Sequence, residues 1–231
     1  MESNDQGSNQ PGGVVNSNVA GFNQSELNVH NQARAKHGAS PLRLFTSSLA
    51  QSYADELARE WKFEHNPNNQ QFGENLYYVE YVSEDPNGVQ YQNGEASQGW
   101  YDEEVDYDYS THSSKNGNMV GHFTQMVWKA TTAVAFGIAK GVRPSSEGAG
   151  LFDVRFTVVA IYQPPGNYGG EYEANVMRPG SSLSNNDDSS RNDDGSNNDY
   201  GSSNNDDAKI GGITPAVLSF RGRCEESPWN I

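Results

Sequence analysis

Leu49, Ala50, Tyr53, Ala54, Leu57, Ala58 and Trp61 recur at steps of three and four residues. That spacing lines one face of an α-helix with apolar side chains, and Ser47 or Ser48 stands where such a helix would begin. An earlier helix is predicted from Ser25, a good N-cap followed by Glu26, to Gly38 as a C-terminal stop. A third should contain Ala96, Trp100 and Tyr101, and a short fourth Phe123, Met126 and Val127. The pattern then changes. Val134–Lys140 and Val154–Gln163 are β-rich runs joined by a Gly- and Pro-containing connection. Helices first and strands last predict an α+β arrangement rather than a parallel βαβ repeat.

This patterning is confined to the middle of the chain. Residues 1–20, rich in Asn, Gln, Ser and Gly, read as a disordered lead, and residues 21–180 as the domain. Residues 181–207 carry seven Asp and one Arg in an Asn/Asp/Ser background. Such an acidic linker cannot bury enough apolar surface to offset its chain entropy, and is expected to stay solvated. Residues 208–231 regain Ile, Val, Leu, Phe and Trp but are too few to fold alone. They are expected either to dock on the domain or to act as an adhesive peptide.

Composition changes the picture of function more than of fold. The formal charge of −15 leaves no electrostatic footprint for nucleic acid, so no such partner is expected. No apolar run approaches the ~18 residues a membrane helix needs. The first twenty residues lack the basic start and apolar block of a signal peptide, and Glu2 does not permit N-myristoylation. A lone cysteine, Cys224, cannot form an internal disulfide, which suits a reducing compartment. These features point inside the cell.

Candidate chemistry narrows to two histidines and two glutamates. His65 follows the second helix, Glu74 lies in Gly73-Glu74-Asn75-Leu76, Glu103 comes three residues after Trp100 on the third helix, and His122 opens the fourth. Imidazole and carboxylate together suit a divalent transition metal or a proton-transfer site. Spacing alone does not bring the four together.

Residues 121–131, from Gly121-His122-Phe123-Thr124-Gln125-Met126-Val127-Trp128 to Thr131, and residues 158–167, from Val158-Val159-Ala160-Ile161-Tyr162 to Asn167, resemble the two signatures of the CAP superfamily (cysteine-rich secretory proteins, antigen 5, pathogenesis-related protein 1). His30-Asn31 with Arg34, Gly73–Leu76 and Trp100–Glu103 fall in the same order, and the likeness is greatest to the cysteine-poor, Golgi-associated plant pathogenesis-related type. Ala160 stands where the second signature usually has a cysteine. The resemblance implies a three-layer α-β-α sandwich with a small antiparallel sheet and a cleft gathering His65, Glu74, Glu103 and His122. It implies zinc or another divalent cation at His65 and His122, with Glu74 and Glu103 beside them. It also implies a surface for lipid (sterol, fatty acid or phospholipid), a membrane or a protein partner, is compatible with a homodimer, and sets no catalytic activity.

Glu103 fits the third segment better than Glu104 by its distance from Trp100. Tyr77, Tyr78, Tyr107 and Tyr109 are the candidates for the lipid or partner surface, although tyrosine clusters also pack with one edge wet. The expected location is a Golgi or other membrane surface inside the cell, with an extracellular site, usual for the family, as the alternative. The leading function is binding without turnover. A metal-dependent hydrolase using the same four residues and an acidic scaffold working through its tail are the alternatives. Only a neutral imidazole ligates a metal, so zinc binding by this domain, measured calorimetrically, is expected to weaken below about pH 6.

Overall fold

One sheet covered by helices on both faces organises the chain. The computed structural model describes residues 19–181 and 220–224. The elements run α1 (Val19–Lys36), β1 (Arg43–Leu44), α2 (Leu49–Glu60), β2 (Gly73–Ser83), α3 (Glu95–Asp102), a 3-10 turn (Glu103–Asp106), β3 (Tyr107–Asp108), β4 (Ser113–Ser114), α4 (Gly121–Val127), β5 (Ala133–Pro144), β6 (Phe152–Gln163), α5 (Tyr172–Asn175) and β7 (Phe220–Cys224). The main sheet has the order β1-β5-β6-β2-β7, and β3 and β4 form a separate ladder. Every pairing in the main sheet is antiparallel except that of β1 with β5. The sheet is therefore mixed where an antiparallel one was expected, a difference confined to a two-residue strand.

Alternation along the strands divides the core in two. Val134, Phe136 and Ile138 of β5 and Val158, Ala160 and Tyr162 of β6 face α1, α3 and α4, among Phe22, Leu27, Trp100, Phe123 and Met126. Ala135 and Ala139, Val159 and Ile161 face the other way, against Ala50, Tyr53, Ala54, Leu57 and Ala58 of α2. The three layers are thus built, and a strand buried on both faces reads as a continuous apolar run. That explains why β2 is not foreseen as a strand. Gly-Glu-Asn-Leu-Tyr-Tyr-Val-Glu-Tyr-Val-Ser shows no period of two, yet it is buried along almost its whole length between β6 and β7.

Helix α2 lies unusually close to β5. The α2-facing positions of β5 are Ala135, Gly137, Ala139 and Gly141, while α2 turns Ala50, Ala54 and Ala58 toward them. A Cβ at Gly137 would run into the main chain at Ala50 and Gln51, and one at Gly141 would sit 2.8 Å from the Ala58 carbonyl oxygen. Trp61, expected to complete the α2 stripe, leaves the helix instead. Its φ is 56° at the C-cap, and its ring lies between the guanidinium groups of Arg143 and Arg155, 4.1 and 4.8 Å away.

The first helix starts at Val19, ahead of the expected cap at Ser25. Phe22, buried edge-on against Tyr91 and Phe136, supplies the tertiary contact that extends it. Gly38, at φ +63°, ends the turn that follows. The helix thus begins two residues before the expected domain start at 21. The rest of the lead, the linker beyond Ser181 and most of 208–231 lie outside the described residues.

Helix α1 is joined to the sheet by a buried polar chain whose donors can be assigned. His30 Nδ1 is 2.9 Å from the Glu26 carbonyl oxygen, which can only accept, so Nδ1 carries the proton. The neutral ring's Nε2 then accepts from the Tyr162 hydroxyl at 2.8 Å, whose oxygen accepts from Asn75 Nδ2 at 3.0 Å. The Glu26 carboxylate accepts from Tyr91, Gly94 N, and the amide and hydroxyl of Ser97. Burial raises the Glu26 carboxyl above its ordinary range despite those bonds. Burial holds the His30 imidazole down to about 3, from an ordinary 6.5.

Replacing Gly137 by Ala should destabilise the fold by about 1–3 kcal/mol, because the main chain of α2 has nowhere to go. Gly21→Ala, on an exposed face of α1 with nothing near its Cβ, should gain about 0.5–1 kcal/mol. Urea unfolding measures both. His30 also makes stability depend on pH. Below 6.5 the unfolded ring takes a proton and the folded one does not, so falling pH costs up to about 1.4 kcal/mol per unit. Glu26 acts with the opposite sign, since its raised folded value makes the folded state take up the proton first. In urea unfolding between neutral pH and about pH 5.5, His30→Gln should lose less stability than the wild type.

Candidate functional site

His65 and His122 each make a bond through Nδ1 to one carboxylate. His65 Nδ1 donates to Glu74 Oε1 at 2.7 Å, and His122 Nδ1 to Glu103 Oε1 at 2.6 Å. A carboxylate only accepts, so the proton of each ring is fixed on Nδ1 and the lone pair on Nε2. Both Nε2 atoms are buried without a hydrogen-bond partner. In each pair the ring nitrogen opposite the carboxylate is thus left with unused acceptor capacity.

Local structure explains how each carboxylate is held. Glu74 is the second residue of β2 and almost fully buried. Its Oε1 also accepts from Asn66 N at 2.9 Å and its Oε2 from Asn69 Nδ2 at 3.4 Å, so the Asn-rich turn after His65 folds around it. Glu103 sits at the start of the 3-10 turn rather than on α3. Its Oε2 accepts from His122 N at 3.0 Å and Phe123 N at 3.1 Å. Those amides belong to the first turn of α4, where no intrahelical acceptor exists, so Glu103 caps that helix from outside as well as holding its histidine.

The two pairs are linked through consecutive residues of β2. Glu74 holds His65, and Asn75 Nδ2 donates to the His122 carbonyl at 3.1 Å. The Gln125 side chain of α4 fills the space where a Cβ of Gly73 would lie. Trp100, fully buried, stacks on the His122 ring at 6.3 Å between centroids and donates from Nε1 to the Leu76 carbonyl at 3.0 Å. Sequence reasoning missed Asn69 and left Asn75 without a role. The run Asn66-Pro67-Asn68-Asn69, a turn-forming composition, was the available signal.

Glu104 accepts from the Tyr109 hydroxyl at 2.9 Å, whereas Glu103 is the carboxylate bonded to His122. The tyrosines proposed as a lipid or partner surface are placed differently from that expectation. Tyr107, Tyr77 and Tyr78 are core residues, and Tyr109 is half-buried against Tyr107 and Phe123. The reason is the two-sided burial of β2 and the packing of β3 beneath α4, neither of which the sequence pattern announces. Among the described residues, no three His, Cys, Asp or Glu side chains converge as a ligand set, and no helix is long and apolar enough to cross a membrane.

The sequence model of the cysteine-rich secretory protein family, CAP, matches residues 27–162. The Golgi-associated plant pathogenesis-related protein 1 of Homo sapiens is 35% identical over 164 residues, covering 68% of this chain and 94% of its own length. Pathogenesis-related protein 1A of Nicotiana tabacum is 33% identical over 150 residues, covering 64% of this chain and 78% of its own. Among solved structures, venom allergen-like protein 4 of Schistosoma mansoni aligns over 63% of this chain and 89% of its own at 19% identity, with a TM-score of 0.39. The match from Leu27 to Tyr162 spans the site just described together with α1 to β6, and it places the chain in the CAP family.

Proposed function

We propose that this domain is a binding module whose paired histidines hold a divalent cation, zinc being the best suited, without turning over a substrate. The observation that carries the reading is the pair of buried, unpartnered Nε2 atoms, each on a ring whose tautomer a carboxylate has fixed. Neutral imidazole with its distal nitrogen bonded to a carboxylate is the donor arrangement that zinc favours. With no third donor converging among the described residues, water would complete the coordination, and such a site would be of modest affinity. The cation's contribution when bound is Lewis acidity. The chain's own residues supply orientation and burial.

Binding is favoured over hydrolysis by where the carboxylates are spent. Glu74 accepts from His65, Asn66 and Asn69, and Glu103 from His122 and Phe123. A general acid or base needs a free oxygen within reach of substrate, and these oxygens are occupied by the fold. The lipid or protein partner in the reading has no support from Tyr77, Tyr78 or Tyr107, which are buried. The proposal extends to place, a Golgi-facing membrane surface, on the strength of the human relative's name alone.

Isothermal titration with zinc should give one site per chain. His65→Ala or His122→Ala should abolish it, while Glu74→Gln or Glu103→Gln should weaken it by about 10–100-fold through loss of ring orientation. Unchanged affinity in the His65→Ala/His122→Ala double variant would overturn the reading.

A further inference from the structure

The fifth strand of the main sheet comes from the far end of the chain. Phe220–Cys224 pairs antiparallel with Tyr77–Tyr81 of β2, setting Phe220 opposite Tyr81, Arg221 opposite Glu80, Gly222 opposite Val79, Arg223 opposite Tyr78 and Cys224 opposite Tyr77. This strand lies well past Tyr162, where the family match ends. Without it, the outer edge of β2 would present an unpaired row of amides and carbonyls, a ready template for an added strand.

Register and charge both describe what the edge accepts. Positions directly opposite one another share a face of the sheet, so Glu80 stands in one row between Arg155 of β6 and Arg221 of β7. Glu80 accepts from Arg155 Nε at 2.8 Å and is only partly buried. Residues 208–224 carry Lys209, Arg221 and Arg223 and no acidic residue, in a chain of net charge −15. A basic segment thus takes the register positions opposite Tyr78–Glu80 in an acidic protein. Gly222 falls opposite Val79, which is fully buried, so the strand adds no side chain over that position.

A strand bonded on one side only, five residues long, and reached through residues 182–219 is held weakly. Those 38 residues could span roughly 130 Å at full extension. We propose that the Tyr77–Tyr81 edge of β2 is a strand-docking site, that residues 220–224 are its tethered occupant, and that the site selects an extended segment with arginines at alternate positions. The proposal does not rest on cation binding at the histidine pair.

The test uses the full chain. In Arg221→Pro/Gly222→Pro, one of the two prolines must fall on the amide row facing β2, since successive N–H groups of a strand point to opposite sides. Hydrogen exchange at Tyr77–Tyr81 should rise by about tenfold or more in this variant, with β5 and β6 unchanged. A fluorescent peptide of residues 216–228 carrying Cys224→Ser should bind the variant at least about tenfold more tightly than it binds wild type, where the tethered strand competes. Arg221→Glu/Arg223→Glu, which keeps every backbone donor, should move both readouts in the same direction, and the peptide with the same two changes should bind neither protein. Unaltered exchange in β2, equal peptide affinity for variant and wild type, or equal binding of the charge-reversed peptide would each overturn the proposal.

Discussion

Helix α4 has to be held still for there to be a site at all, and it is held from outside itself. Seven residues are too few for a helix to persist on its own propensity, and every one of them is buried. Glu103 takes the amides of His122 and Phe123 at one end. At the other, the buried Arg34 guanidinium donates to the carbonyls of Met126, Trp128 and Thr131, and through Nε to that of Ser40. Asn75 takes the His122 carbonyl. A buried cation without acceptors costs several kcal/mol, so Arg34 and the chain around α4 fix each other. Burial lowers the Arg34 pKa to about 10, which still leaves it charged at neutral pH.

The same economy runs through the sheet. A strand covered on both faces can devote both to position: β2 uses Glu74 to hold His65, Asn75 to hold His122 and Tyr162, and Leu76 to receive Trp100. The close approach of α2 to β5, allowed by Ala and Gly on both sides, brings the chain leaving α2 back toward the sheet. His65 sits on that return. Main-chain packing thus brings the segment to the sheet, and Glu74 orients the ring there.

Much of this was legible from residues alone, and the boundary between legible and hidden has a physical basis. The α2 stripe shows because one face is apolar and one wet, and β5 and β6 show because they are long and β-branched. Glu103 stands three residues after Trp100, but that spacing alone does not announce its bond to His122. β2 is hidden because burial on both faces removes its period, and because its polar residues are spent inward. Trp61 looks like the last apolar position of a stripe, but one residue's φ decides otherwise, and periodicity carries no information about φ. The tyrosines at 77, 78 and 107 look amphipathic in sequence and prove to be core, since a phenol can satisfy its hydroxyl internally, as Tyr77 does on Glu95.

The C-terminal segment presents the converse problem. Its apolar residues mark it as something that packs, yet no period in 208–231 says against what, because a sheet edge recognises main chain first and side chains second. Five residues suffice when the partner strand is already fixed, and β2 is fixed by its pairing with β6 and by the polar bonds of Glu74 and Asn75. The rigidity that positions Glu74 and Asn75 therefore also makes the far end of the same strand, Tyr77–Tyr81, a preorganised template. Site and docking edge lie in succession on one strand, and what stabilises the first lowers the ordering cost of the second.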